Sequence, residues 1–196
     1  MVLATGNTHK VHEFDFLFKS SGFKILSAEE FGGMPFVEET GSDFHTNAFL
    51  KARALSKEIN LKHCVIADDS GLEVNFLKGD PGIFSARYAG EKASDKENVE
   101  KLLNRLLGVP EIDRSAQFRC VLCLIDKKQL THYFVGICHG NIQLKPSGNL
   151  GFGYDPIFVP KGYNKTFAEL GPAVKSKLSH RALAVQECKE FLKKHF

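Results

Sequence analysis

The chain has little that would tie it to a membrane, a nucleic acid or a disulfide framework. No uninterrupted apolar stretch approaches the length that spans a bilayer, and Met1 to Gly6 shows neither the basic segment nor the apolar core of a secretory signal. A soluble protein is expected. Lys and Arg number 26 against 23 Asp and Glu, an excess too small for an extended phosphate-neutralising face. That balance suits a small anionic ligand better than a polymer, and neither a nucleic acid nor a membrane is expected as a partner. The cysteines Cys64, Cys120, Cys123, Cys138 and Cys188 are odd in number and scattered, which argues against full pairing and for a reducing cytoplasm. Cys120 and Cys123 have C-x-x-C spacing, but their segment reads as a strand, where positions three apart point to opposite faces. Buried thiols are expected there rather than zinc ligands. Internal repeats, low-complexity tracts and Pro/Gly-rich linkers are also missing. Residues 1–196 therefore read as one domain, or two closely joined lobes, long enough to bury a core without staples.

What is present reads as alternating strands and helices. The apolar Val2, Leu3 and Ala4 lead into the turn residues Thr5 to Thr8, after which Val11, Phe14, Leu17 and Phe18 recur at helical spacing. Residues 24–27 suggest a second strand. Ser42 or Asp43 can cap a helix that carries Phe44, Ala48, Ala52, Leu55 and Ile59 on one stripe. Cys64 to Ala67 is a short apolar strand that delivers Asp68 and Asp69 at its C-terminal end, the edge where open α/β sheets place ligands. Ser94 and Glu97 form a capping box before Val99, Leu102, Leu103, Leu106 and Leu107. Residues 117–125 and 131–138 flank a polar turn as a hairpin, and a last helix runs from about Ser179 toward Phe196 with Ala184, Cys188 and Phe191 on its inner stripe. The hairpin breaks the βαβ rhythm, so a mixed α/β fold is expected, with helices around a mixed central sheet.

Four groups carry candidate chemistry. Thr5, Gly6, Asn7, Thr8, His9 and Lys10 lie where a strand turns into a helix, whose first amide N–H groups favour phosphate; taken alone, the segment reads more readily as an ordinary capped helix start. It is not a Walker loop. Glu38 and Glu39, with Asp68 and Asp69, offer the hard oxygen ligands that Mg²⁺ takes when it neutralises a triphosphate. Acids before a helix also simply complement its dipole, which accounts for Glu38 and Glu39 but not for the aspartates. In the glycine-rich segment 148–156, Phe152 suits stacking on a base and Asp155 suits accepting from ring nitrogens, while a loop aromatic over a core edge is the bland alternative. Lys175 precedes Ser179, His180 and Arg181 at the opening of the final helix. Two cationic side chains at a helix start are unfavourable unless something anionic or electron-rich lies opposite.

In order, these segments resemble the inosine/xanthosine triphosphate pyrophosphatase family over nearly the whole chain. The resemblance rests on Ala4 to Asn7 with Lys10, Glu38 to Gly41, Asn47 and Ala48 with Leu50 to Ala52, Ala67 to Leu72, Pro81 and Gly82 with Ser85 to Tyr88, Gly151 to Pro156, Ala168 to Leu170, and Lys175 and Ser176 with Ser179 to Arg181. It implies an elongated mixed sheet, two lobes around a substrate cleft, and a homodimer. The implied activity is Mg²⁺-dependent cleavage of ITP, dITP or XTP to the monophosphate and pyrophosphate, which cleanses the nucleotide pool. By the same resemblance Thr5 to Lys10 and Lys51 hold the triphosphate, Glu39 or its neighbour Glu38 and Asp69 organise the metal and water, and Asp69 is the general base. Ser70 contacts substrate, and Phe152, Gly153, Tyr154, Asp155, Lys175, His180 and Arg181 enclose the base. Cationic donors at Lys175 and Arg181 favour a 6-keto purine over adenine, because an unsatisfied buried group costs about 1–3 kcal/mol. Other readings are a pyrophosphatase for other triphosphates or a nucleotide-binding regulator without turnover. A haloacid-dehalogenase-type phosphatase is disfavoured because D-x-D is absent where Asp68, Asp69 and Ser70 stand.

Overall fold

A computed structural model describes residues 1–19, 21–59 and 63–195. Among them lie six strands: β1 (Val2–Leu3), β2 (Leu26–Ser27), β3 (Val65–Val74), β4 (Ser115–Ile125), β5 (Thr131–Ile142) and β6 (Phe158–Pro160). They form one mixed sheet in the order β2-β1-β3-β4-β5-β6. β1 is parallel to both β2 and β3, whereas β5 and β6 are antiparallel. Five residues join β4 to β5, too few for a parallel crossover, so these neighbours make the expected hairpin. Asp126 closes its turn by accepting the N–H groups of Lys128 and Leu130. The helices are α1 (Thr8–Phe18), α2 (Phe44–Glu58), α3 (Asp95–Arg105), α4 (Phe167–Leu170), α5 (Pro172–Leu178) and α6 (His180–His195). The expected mixed α/β class is the one adopted.

The chain divides into two compact units. The first comprises Met1–Asp69, Cys120–Gly136 and Arg181–Phe196. Its core joins Leu3 and Ile66 of the parallel strands, the alternating Cys120, Leu122 and Leu124 of β4, Phe14 and Phe18 of α1, and Ala184, Cys188 and Leu192 of α6. Spacings of two on the strand and four on the helices turn these residues to one side, where burying each large side chain contributes about 1.5–3 kcal/mol. The second unit comprises Ser70–Arg119 and Ile137–His180. There Leu72 and Val74 pack with Val99, Leu102 and Leu106 and with a cluster of rings, Phe118 lying 4.6 Å from Phe158 and Phe158 5.4 Å from Phe167.

Several boundaries differ from the sequence reading. β3 does not end at Ala67 but runs on to Val74, so Asp68 and Asp69 lie inside a strand. Apolar periodicity stops at the charges, whereas the backbone ladder needs only that they find counter-ions. The last register pair between β1 and β3 is Leu3 with Ile66, so both aspartates still lie just past the end of that parallel pairing. β2 is shorter than residues 24–27. Leu107 is 76% exposed, because α3 ends at Arg105 and the chain has turned away before that residue. Asp43, not Ser42, caps α2 by accepting the N–H of Thr46. The final helix starts at His180, and Phe196 lies outside the described residues.

All five cysteines are buried thiols outside any disulfide, as expected for those of β4. Burial pushes the thiols of Cys123, Cys138 and Cys188 up to about 12. Since the thiolate is the nucleophile, little of it exists in the folded protein at pH 8. The native chain should react slowly with a disulfide reagent such as dithionitrobenzoate and release five equivalents rapidly in guanidinium; fast labelling of the native form at any site would contradict this burial.

Candidate active site

In the first unit, α1 begins at Thr8 and is capped by Asn7, whose Oδ1 accepts the N–H of Lys10 at 3.2 Å. The N–H of Asn7 in turn donates to Thr5 Oγ1. α1 has no acidic residue in its first turn, so the positive end of its dipole is not neutralised locally. Open space surrounds the Gly6 Cα, and Gly6, Asn7, Thr8 and His9 are exposed. The turn is thus exposed at the positive end of a helix, where an anion is favoured.

Asp68 and Asp69 follow this turn in the fold. Burying two carboxylates in a strand is costly unless each is paired. As strand neighbours they point to opposite faces and find different cations. Asp68 Oδ1 lies 2.9 Å from Lys10 Nζ, and its Oδ2 accepts from Arg181 Nη2 at 3.1 Å and Nε at 3.3 Å. Asp69 Oδ1 accepts from Lys51 Nζ at 2.7 Å. Lys51 stands on α2 and also lies 3.7 Å from Glu39 Oε1, so one ammonium bridges both acidic segments that the sequence placed 30 residues apart. Burial alone would lower the Lys51 pKa, but Asp69, Asp68 and Glu39 outweigh it and hold it above the ordinary lysine value. Burial raises the Asp69 pKa, a shift that Lys51 and Lys10 only partly offset. Asp69 Oδ2 is buried with no hydrogen-bond partner among the described residues.

That oxygen is the test of whether the residues fit a divalent cation. An unsatisfied buried carboxylate oxygen costs about 1–3 kcal/mol or more, a penalty that a ligand at Oδ2 would remove. The donors nearby are carboxylates, hard oxygens suited to Mg²⁺. No group of three or more His, Cys, Asp or Glu is placed to hold a metal among the described residues; Mg²⁺ commonly takes one or two carboxylates and completes its shell with water and substrate phosphate. Glu39 is the acid beside Lys51; Glu38 is exposed.

Arg181 opens α6 and is 2% exposed. The anion that a cationic helix start demands turns out to be the protein's own: Asp68 takes Nε and Nη2, and Glu13 of α1 takes Nη1. Burial would lower the guanidinium's pKa, but Asp68 and Glu13 raise it above the ordinary arginine value.

In the second unit, the glycine-rich segment is a tight loop locked from within. Asp155 Oδ2 accepts the N–H of Phe152 at 2.9 Å and the ammonium of Lys175 at 2.6 Å. Gly151 has φ +80, and a Cβ there would strike the Asp155 carboxylate, so glycine is required on both counts. Lys175, in the last turn of α5, also lies 4.4 Å from the centre of the Phe152 ring. Tyr154 is buried and donates its hydroxyl to the carbonyl of Ser85, while the N–H of Gly153 donates to Asp95 at 2.6 Å. His180 stacks on Phe118 with ring centres 4.7 Å apart. Ser70 follows Asp69 on β3 and is half-buried. The structure therefore gathers Lys10, Lys51, Glu39, Asp68, Asp69 and Arg181 in one unit and Phe152, Asp155 and Lys175 in the other. The sequence reading missed Asp95, Ser85 and Asn47, which hold loops of these groups in place. Asn47 and Ser85 stand inside the quoted motifs, but their partners are six and 69 residues away, too remote for spacing to reveal.

A mixed sheet that carries a buried carboxylate–lysine centre near an exposed helix start defines an α/β protein. The Ham1 family model matches residues 1–191, and the chain belongs to that family. It is 45% identical over 193 residues to a dITP/XTP pyrophosphatase of Oceanobacillus iheyensis, covering 98% of this chain and 97% of that one. It is 51% identical over 190 residues to a dITP/XTP pyrophosphatase of Vibrio parahaemolyticus, covering 95% and 92%. The Ham1 protein of Staphylococcus aureus superposes with a TM-score of 0.87 at 43% identity, covering 100% of this chain and 98% of that one.

Proposed function

We propose that this chain hydrolyses non-standard purine nucleoside triphosphates, dITP, ITP and XTP, to the monophosphate and pyrophosphate, and so keeps such nucleotides out of DNA and RNA. The observation that carries the reading is Asp69, a buried carboxylate with one oxygen on Lys51 and the other without a partner among the described residues. The names and near-complete coverage of the relatives support the substrate class.

The N-terminal turn of α1, with Thr5, Gly6, Asn7, Thr8, His9, Lys10 and Lys51, binds the phosphates. Asp69 and Glu39, or Glu38 in its place, would hold Mg²⁺, which when bound neutralises the triphosphate and polarises the scissile phosphorus. Asp69 orients the attacking water and takes its proton, while Ser70 contacts substrate. Phe152 stacks on the purine, Lys175 donates to its 6-keto oxygen, and Gly153, Tyr154, Asp155 and His180 shape the pocket, while Arg181 holds Asp68. The proposal includes a homodimer and a cytoplasmic location; five buried cysteines outside any disulfide suit a reducing compartment. No helix among the described residues is long and apolar enough to cross a membrane.

Product analysis with inosine triphosphate and Mg²⁺ tests the reading. One monophosphate and one pyrophosphate are expected per turnover, with activity abolished by chelation and kcat/KM well above that for adenosine triphosphate, by more than the ~10-fold that 1.4 kcal/mol represents. Orthophosphate as the primary product, or equal use of both purines, would overturn it.

A further inference from the structure

Asn47 lies on α2 one turn before Lys51, so the two share a helix face, and it is fully buried. Asparagine in a helix interior is a poor choice, and burying its amide is costly unless it is bonded. Its Oδ1 accepts the N–H of Gly41 at 2.9 Å, while its Nδ2 is buried without a hydrogen-bond partner among the described residues. Gly41 is pressed against the helix at this point: a Cβ would lie 2.5 Å from Asn47 Oδ1 and 2.8 Å from Thr46 Cβ. Two residues before Gly41 stands Glu39, 3.7 Å from the ammonium that Asp69 also binds. The contact therefore anchors the acidic segment to the helix that carries Lys51.

We propose that Asn47 is a positioning residue for the cation site: by docking Gly41 on α2 it sets the Glu39 carboxylate beside Lys51 and Asp69. The inference rests on Glu39 and Asp69 being the cation's carboxylates. It differs from an ordinary packing role in its consequence, because loss of the anchor lets Glu39 drift and weakens metal binding before it weakens the fold. Partners that orient metal ligands typically contribute about 10–100-fold in affinity.

The test is Mn²⁺ binding to the purified full chain without nucleotide, followed by the loss of the free-ion paramagnetic resonance signal, with folding checked by circular dichroism. Asn47→Ala is expected to raise the Mn²⁺ dissociation constant at least about 10-fold. Gly41→Ala, placed on the loop rather than in the helix, should do the same and serves should Asn47→Ala not fold. The double variant should lose no more than the worse single one, since both break one contact. Asp69→Asn is the control. If it loses Mn²⁺ while folded Asn47→Ala and Gly41→Ala bind as tightly as wild type, the positioning role is refuted and the site stands. If Asp69→Asn binds Mn²⁺ like wild type, the site itself is misassigned and the inference falls with it. Fully additive losses would likewise refute a shared contact.

Discussion

Asp69→Asn should lower the turnover of inosine triphosphate by at least about 10²-fold while leaving the protein folded. The substitution keeps the shape of a side chain that fills a buried place in β3, and the amide oxygen can still accept from Lys51. What disappears is the negative charge and its capacity to take a proton. Lys51 retains Glu39 nearby, so the ammonium is not stranded when Asp69 is neutralised. The fold should therefore survive, and circular dichroism with a thermal melt would verify it. KM for the nucleotide should change less than kcat, because Lys10 and the amides of α1 still grip the phosphates in the proposed site. Near-native turnover in a folded Asp69→Asn protein would remove Asp69 from the mechanism.

How much of this was legible in the sequence depends on how local the signal was. Helix caps at Asn7, Asp43 and Ser94 lie within three residues of what they cap, and the stripes of α1 and α6 recur at fixed spacing, so those elements could be read directly. β3 was misread because periodicity detects burial of apolar groups, whereas Asp68 and Asp69 are buried by pairing. Lys10 lies 58 residues from Asp68 and Arg181 113, distances at which no local pattern operates. α4 and α5, of four and seven residues, were too short to show a period. The motifs drew attention to Glu39, Asp69, Phe152 and Lys175 by residue type, but which acid meets which lysine required the fold. Asn47 shows the limit most plainly: its identity stood inside a quoted motif, yet nothing in the sequence connected it to Gly41.

The sequence alone suggested that the donors of Arg181 read the keto edge of the purine, so that Arg181→Ala would narrow the preference for inosine over adenosine triphosphate. The structure calls for a different expected result. Arg181 is buried and places Nε and Nη2 on Asp68 and Nη1 on Glu13. Removing one partner of a buried ion pair costs about 3–5 kcal/mol, chiefly because the other charge is left uncompensated. Here Lys10 remains on Asp68 Oδ1 and Glu13 is partly solvated, which points to the lower end, about 3 kcal/mol. At roughly 2–4 °C per kcal/mol for a chain of this size, Tm should fall by roughly 6–12 °C. Asp68→Asn in the Arg181→Ala background removes the stranded charge, so the double variant should melt higher than additivity predicts. Because Asp68 also holds Lys10, activity below the melt should fall by the same proportion for inosine and adenosine triphosphates. A stable Arg181→Ala protein that lost activity only toward the keto purine would instead return Arg181 to the base pocket and make its ion pairs with Asp68 and Glu13 incidental to its role.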